Sequence, residues 1–245
     1  MARTAKTEAV VLRSFRLGEA DRVLHLYTRE QGRVGAVAKG IRKTKSRFGG
    51  RLEPFSHVEV LLHRGSGELQ TVTGASLVAS NRQIREEPYR LRVGLIGLEA
   101  MLRLFPEQEA NERAFVALAR FLDALAVAPA RPARPAVDPI VLSFQLKLLW
   151  ISGYLPHLDS CVECGACEGL VSYVPAAGGA VCGACESGGI GLSSGGLRAI
   201  RMMLQTPIAA AGDAGCVDRA ARDALAVLTA SYEHHVGFRL RTLTA

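Results

Sequence analysis

Five of the six cysteines fall close together, as Cys161, Cys164, Cys167, Cys182 and Cys185; the sixth is Cys216. Cys161-Val-Glu-Cys164 and Cys182-Gly-Ala-Cys185 are two CxxC turns with 17 residues between them. A tight turn brings two thiolates to one side of the backbone, and two such turns at this separation suit a structural zinc site. Four thiolates fill a tetrahedron and leave no position for a reactive water, which argues against catalysis at the metal. Cys164 and Cys167 form a competing CxxC. The register with Cys161 and Cys164 is preferred because Gly165 then follows the second ligand. Gly165 and Gly183 are expected to let the backbone curl, so that its N–H groups approach the sulfurs. Free thiols are the competing reading. His157 is a spare donor that four thiolates do not need, and Cys216 reads as a small buried residue.

The second chemical feature is "KGIRKTKSRFGGRLEPF", residues 39–55. Lys39, Arg42, Lys43, Lys45, Arg47 and Arg51 stand there without an acid among them, and Phe48 and Phe55 are interleaved. The formal net charge is +7. Residues 1–80 carry 14 Lys+Arg against 7 Asp+Glu, and the remainder 16 against 16, so the excess belongs to the N-terminal third. A localised basic excess favours an anionic partner such as nucleic acid or acidic lipid. The bland alternative is a solvated loop that aids solubility. Arg16, Arg22 and Arg33 extend the patch, with Arg13 as a further candidate. Phe48 either stacks on a base or tucks under the domain.

Signatures of catalysis are missing. There is no GxSxG, no Walker loop and no HExxH. His234-His235 read as helix surface or packing, and Glu19 and Asp21 as solvated acids in a turn. No enzymatic activity is expected.

The elements that must position these residues follow from periodicity. Segments 8–13, 22–28, 33–39, 56–64 and 69–78 are short strands rich in Val, Leu and Thr, separated by glycine turns. Val34, Ala36 and Ala38 share one face, as do Val58, Val60 and Leu62. Five strands in so short a span suggest a small closed barrel without exposed edges. Their number alone does not choose between an OB-fold and an SH3-like barrel. Beyond residue 85, Leu91, Leu95, Leu98, Leu102 and Phe105 mark one amphipathic helix, and Phe115, Leu118, Leu122 and Leu125 another. A Pro-rich connection, 128–139, ends at Asp138-Pro139, an N-cap and first helical position. The helix from Ile140 to Trp150 is apolar nearly all round and is expected at the centre of a bundle. The cysteine segment, 157–190, is inserted before the last helices, of which the final one carries Ala221, Leu225, Leu228, Tyr232 and Val236 on one stripe.

A chain of 245 residues is long enough for one to three domains. The opening MARTAKTEAVVLR has no apolar run behind it, so it is not read as a secretory signal. The greasiest window, 140–155, is short for a bilayer and carries Lys147. A soluble cytoplasmic protein is expected.

The combination resembles the RecO family of bacterial recombination mediators. The resemblance covers nearly the whole chain. It is most specific in "FQLKLLWISGYLPHLDSCVECG" (144–165), with support from "DRVLHLYTREQGRVGAVAKGIRK" (21–43) and the terminal "YEHHVGFRLRTL". It implies an α+β multidomain protein: a five-stranded OB-fold barrel over 1–82, then an all-α helical domain over 83–245 with an inserted four-cysteine zinc module. It further implies DNA repair and recombination activity in the cytoplasm at the nucleoid. Such proteins bind single- and double-stranded DNA, anneal complementary strands, and act with RecR to load RecA onto DNA coated by single-strand-binding protein. On this reading the DNA-binding residues are Lys39, Arg42, Lys43, Lys45, Arg47 and Arg51. The ligands of one structural Zn²⁺ are Cys161, Cys164, Cys182 and Cys185. Cys167 departs from the simplest family pattern. Two other classes compete: a zinc-ribbon transcription or translation factor, opposed by the lack of a basic recognition helix, and a zinc-dependent nucleic-acid enzyme, opposed by the closed four-thiolate set.

Overall fold

The computed structural model describes residues 4–130, 134–186, 188–213 and 218–243. Cys216 and part of the Pro-rich connection, residues 131–133, lie outside them. The chain divides into two compact units, Met1–Val127 and Ala128–Ala245.

In the first unit, β1 (Thr4–Leu17), β2 (Asp21–Thr28), β3 (Gly32–Ala38), β4 (His57–His63) and β5 (Gln70–Ala79) close into a barrel in the order β1-β2-β3-β5-β4. All pairings are antiparallel except the short parallel contact of β3 with β5, at Ala36–Gln70 and Val37–Thr71. Closure removes free edges. Strand alternation does the rest: Leu24, Leu26, Val34, Ala36, Ala38, Val58, Val60, Leu62 and Val72 all point into one apolar cluster. The expected faces on β3 and β4 are therefore those observed. β1 is longer than the expected 8–13, because Thr4–Val10 pairs with β4 while Ala9–Leu17 pairs with β2.

Three helices follow in the same unit: α1 (Arg82–Glu86), α2 (Pro88–Leu104) and α3 (Glu112–Val127). The division between the compact units thus falls at Val127/Ala128, and the first helices belong to the unit of the barrel. On α3 the expected stripe of Phe115, Leu118, Leu122 and Leu125 is buried. On α2 the expected stripe is rotated. Leu95 is 42% exposed, while Val93, Ile96, Leu98 and Met101 are buried with Gly94 and Gly97. The reason is close approach. A Cβ at Gly97 would lie 2.4 Å from Cε1 of Phe121, and one at Gly94 would lie 2.7 Å from Cε1 of Phe55. Glycine carries no weight in a hydropathy pattern, yet here it admits two aromatic rings to the helix backbone.

In the second unit, Asp138 accepts a hydrogen bond from the Ile140 N–H, and Pro139 opens α4 (Pro139–Ile151), as expected. α4 is buried nearly all round, but Trp150 at its end is 57% exposed, so the apolar face does not run its full length. Lys147 bends over the C-terminal end of α5 (Ser194–Gln205), donating to the Met203 and Thr206 carbonyls. Burial pushes its ammonium down to about 8. The final helix, α6 (Asp218–Val236), buries Ala221, Leu228 and Tyr232 of the expected stripe, whereas Leu225 and Val236 are only half-buried. The cysteine segment is not merely two turns. It contains an antiparallel sheet of β6 (Leu170–Val174), β7 (Gly179–Cys182) and β8 (Ile190–Gly191), in the order β7-β6-β8.

Gly97→Ala is expected to force the Phe121 ring off its site and cost about 1–3 kcal/mol by overpacking. A thermal unfolding midpoint equal to that of the parent chain would show that α2 and α3 are not held this closely.

Candidate metal centre and nucleic-acid interface

The sulfurs of Cys161, Cys164, Cys182 and Cys185 all lie within 4.8 Å of one another. Zinc–sulfur bonds of about 2.3 Å in a tetrahedron require S···S edges of about 3.8 Å. The Sγ atoms of Cys164 and Cys182 are 3.7 Å apart. The donor set and its spacing therefore fit a tetrahedral cation. Cys167 is exposed, and its Sγ lies 3.8 Å from the Gly165 carbonyl oxygen, outside the group of four. His157 also stands apart, with Nε2 2.8 Å from the Ser160 hydroxyl.

Local folding explains how the turns form. The first closes with the Gly165 N–H on the Cys161 carbonyl at 2.9 Å, and Gly165 has φ of 78°, the left-handed region that glycine enters freely. Gly183 has no positive φ, so the second turn does not need glycine's freedom as expected. It closes instead with the Cys185 N–H on the Cys182 carbonyl at 3.1 Å. The Cys182 N–H points at Cys161 Sγ from 3.4 Å. That donor, with the Cys164 and Glu163 N–H groups of the first turn, holds the Cys161 thiol down to about 6. Neighbouring sulfurs, led by Cys164, push Cys185 up to about 12. Four sulfurs this close repel as thiolates, and a divalent cation is what relieves that repulsion.

The cluster is tied to its unit through two elements. The Tyr173 hydroxyl on β6 donates to Ser231 Oγ on α6 at 2.9 Å, both fully buried, and Ser231 donates onward to the Val227 carbonyl. Arg201 on α5 bonds the Leu158 carbonyl and stands 3.3 Å from Asp159. Arg201 is thus a structural residue beside the cysteine turns. His235 stacks on Tyr154 at 5.5 Å, so the His pair is packing and surface, as expected.

The basic segment joins β3 to β4. Lys39, Arg42, Lys43, Lys45, Arg47 and Arg51 are all exposed, and among the described residues none of the six has a carboxylate within ion-pair distance. The apolar residues between them go the other way. Ile41, Phe48 and Leu52 join the barrel's core cluster, and Phe48 is 1% exposed. Phe48 therefore packs and does not stack on a ligand. Phe55 is buried as well, at a left-handed φ of 72° held by Asn81 Nδ2 on its carbonyl. Asp21 is not a solvated acid: Oδ1 accepts from the Gly40 N–H at 2.7 Å and fixes the start of the loop. Arg42 spends a donor on the Glu19 carbonyl of the β1–β2 turn (2.9 Å), and Arg51 one on the Arg47 carbonyl of the loop itself (2.8 Å). Among the described residues Lys39, Lys43, Lys45 and Arg47 form no such bonds, and the Arg47 guanidinium carbon lies 4.9 Å from the centroid of the Phe48 ring. An open cleft of about 460 Å³ lies between Arg47, Phe48 and Arg51 on one side and β5 residues 74–77 on the other.

Of the candidates that were to extend the patch, Arg22 stands 3.9 Å from Glu53, and Arg33 pairs with Glu107 at 3.6 Å while bonding the Leu102 carbonyl. Both are structural pairings. Arg13 and Arg16 are exposed without a carboxylate partner among the described residues.

Two family models divide the chain between them: Recombination protein O N terminal over residues 1–81, and Recombination protein O C terminal over residues 85–244. The chain belongs to the recombination protein O family. Proteins named DNA repair protein RecO are similar over most of their length. That of Anaeromyxobacter dehalogenans is 36% identical over 242 residues, covering 96% of this chain and 93% of the relative. The Frankia casuarinae protein is 37% identical, covering 97% and 96%. The Rubrobacter xylanophilus protein is 44% identical over a shorter stretch, 74% and 71%. The boundary between the family models, at 81–85, follows the end of the barrel strands, whereas compactness divides the chain at Val127/Ala128 because α2 and α3 pack with the barrel unit.

Phe48→Ala is expected to remove core contacts and cost about 3–5 kcal/mol, lowering the unfolding midpoint. An unchanged midpoint would show that the ring is not part of the barrel core.

Proposed function

We propose that this chain is a DNA repair and recombination mediator whose barrel is an OB-fold. In this reading it binds single- and double-stranded DNA, anneals complementary strands, and assists RecA loading with RecR on DNA coated by single-strand-binding protein. The OB-fold reading is supported by the strand order, a five-stranded barrel closed by a parallel β3–β5 contact. It acts by binding, in the cytoplasm at the nucleoid, and turns over no substrate.

One observation carries the DNA reading. Six cations stand outward on a single loop, unpaired with acids among the described residues, while the loop's apolar side chains are fixed in the barrel core. Such a surface offers charge held in place without a protein counter-ion. Phosphates satisfy it and carry no sequence information, so binding is unspecific. Annealing follows from the same physics: two approaching strands repel through their phosphates, and cations shared between them reduce that repulsion. Among the described residues no helix is long and apolar enough to cross a membrane.

The cysteine cluster in this reading holds one structural Zn²⁺ through Cys161, Cys164, Cys182 and Cys185. Four thiolates would complete a tetrahedral coordination, so the ion would brace the cysteine turns and offer no open position for a reactive water.

Lys43, Lys45 and Arg47 replaced together by alanine should shallow the log–log salt dependence of single-strand binding by about 2 units, from about −0.7 per phosphate contact. All sequences should weaken alike. Arg42 and Arg51 are left in place because they also brace the loop. A triple variant with parental affinity and slope would remove this loop from the DNA site. Independently, elemental analysis should find one zinc per chain. Cys161→Ser should lower both metal content and thermal stability, whereas Cys167→Ser should change neither. Metal lost from Cys167→Ser alone would contradict the four-sulfur assignment.

A further inference from the structure

A second surface of the barrel has the chemistry of a stacking site. The β1–β2 register shifts between Val11 and Arg13, leaving Leu12 as an extra residue. A bulge re-aims the side chains beyond it. Ala9 and Val11 lie in the core before the shift, while Arg13, Phe15 and Leu17 are exposed after it. Phe15 is 36% and Leu17 43% exposed. The Arg13 guanidinium carbon lies 4.3 Å from the centroid of the Phe15 ring. His25, opposite Arg13 on β2, meets the same ring edge-on at 5.6 Å and 74°. Across the sheet, His25 faces Gly35, where a Cβ would lie 2.6 Å from Cδ2 of Leu69, and Val23 faces Val37, so the neighbours directly opposite are small or apolar.

We infer that Arg13, Phe15 and His25 form a nucleobase-stacking step that takes unpaired bases of single-stranded DNA. The inference rests on the DNA-binding reading and says which face of the barrel the bases use. Guanidinium planes and aromatic rings both stack on bases, and the contact tolerates any sequence because every base has a π face. Charge agrees with this occupant. Arg13 and Arg16 are exposed without a carboxylate partner among the described residues, and the nearby Glu107 is paired with Arg33. Burial, then the charges of Arg33 and Arg13, hold the His25 imidazole below its ordinary range against the pull of Glu107, which favours the neutral ring. β3 continues from Val37 of this face into Lys39, the first cation of the basic loop. One strand can therefore lay bases on the sheet and phosphates on the loop. A duplex keeps its bases stacked inside and gains nothing from the ring.

The test uses the full chain and three probes: an oligo-dT, an abasic oligomer of equal length, and a duplex. The wild-type chain should bind oligo-dT about tenfold more tightly than the abasic oligomer, the size expected of base–aromatic stacking. Phe15→Leu keeps apolar bulk without a π face. It should erase that preference while leaving abasic and duplex binding within about twofold, and Phe15→Trp should restore the preference. A matching thermal midpoint for both variants shows that folding is intact. A Phe15→Leu chain that keeps the preference overturns the stacking step. So does a wild-type chain that binds oligo-dT and abasic oligomer equally, or a Phe15→Leu chain that weakens on all three probes alike. A wild-type chain that binds none of the probes overturns the DNA reading itself, an outcome distinct from these.

Discussion

Burial of three side chains from the most highly charged loop governs the first unit. Ile41, Phe48 and Leu52 share one core with the inward residues of all five strands. Removing a Phe ring from water contributes a few kcal/mol, of the order of 1.5–3 by area. That contribution is tied to a backbone whose remaining side chains are cations. The cations are then held outside, a few residues apart, because the apolar residues between them cannot leave the core. Conformational entropy that flexible lysines on a free loop would lose on meeting phosphates is already lost in part on folding. The same constraint requires Asp21 at the loop's start and Asn81 at its end, each bonding loop backbone that the strands leave unpaired.

The second unit solves a different problem. Residues 157–190 contain only five short-range sheet residues in β6 and fewer in β7 and β8, too few to stand alone. Four sulfurs lie within 4.8 Å of one another across the two turns, and a divalent cation held there would convert their mutual repulsion into cohesion. The Tyr173–Ser231 hydrogen bond and the Arg201 contact to Leu158 then tie the sheet to α6 and α5. The four sulfurs could together hold one metal ion, and the exposed Cys167 lies outside their group.

Much of this was legible from residue order alone, and the failures have physical causes. Alternation located the barrel strands because each has one buried face, and the two CxxC pairs located the four sulfurs because short turns have few conformations. The helix stripe on α2 was misread because the closest contacts run through Gly94 and Gly97, which a hydropathy pattern ignores. Trp150 was placed in the core because an apolar run does not say where a helix leaves its bundle. Phe48 was ambiguous because a Phe among cations suits either a ligand or a core, and only its burial decides. The Arg13–Phe15–His25 group was not found from sequence, although Arg13 was singled out for its charge. Its members come together through the register shift after Val11, and residue spacing carries no sign of a bulge.

The central claim is that DNA contacts the barrel's loop and face while the cysteine cluster serves the fold. Amide hydrogen exchange of the full chain, with and without single-stranded DNA, tests it most directly. Added DNA should slow exchange in 39–51 and in the β1–β2 pair and leave 159–191 as it was. Slowing confined to the second unit, with the basic loop unaffected, would contradict the account.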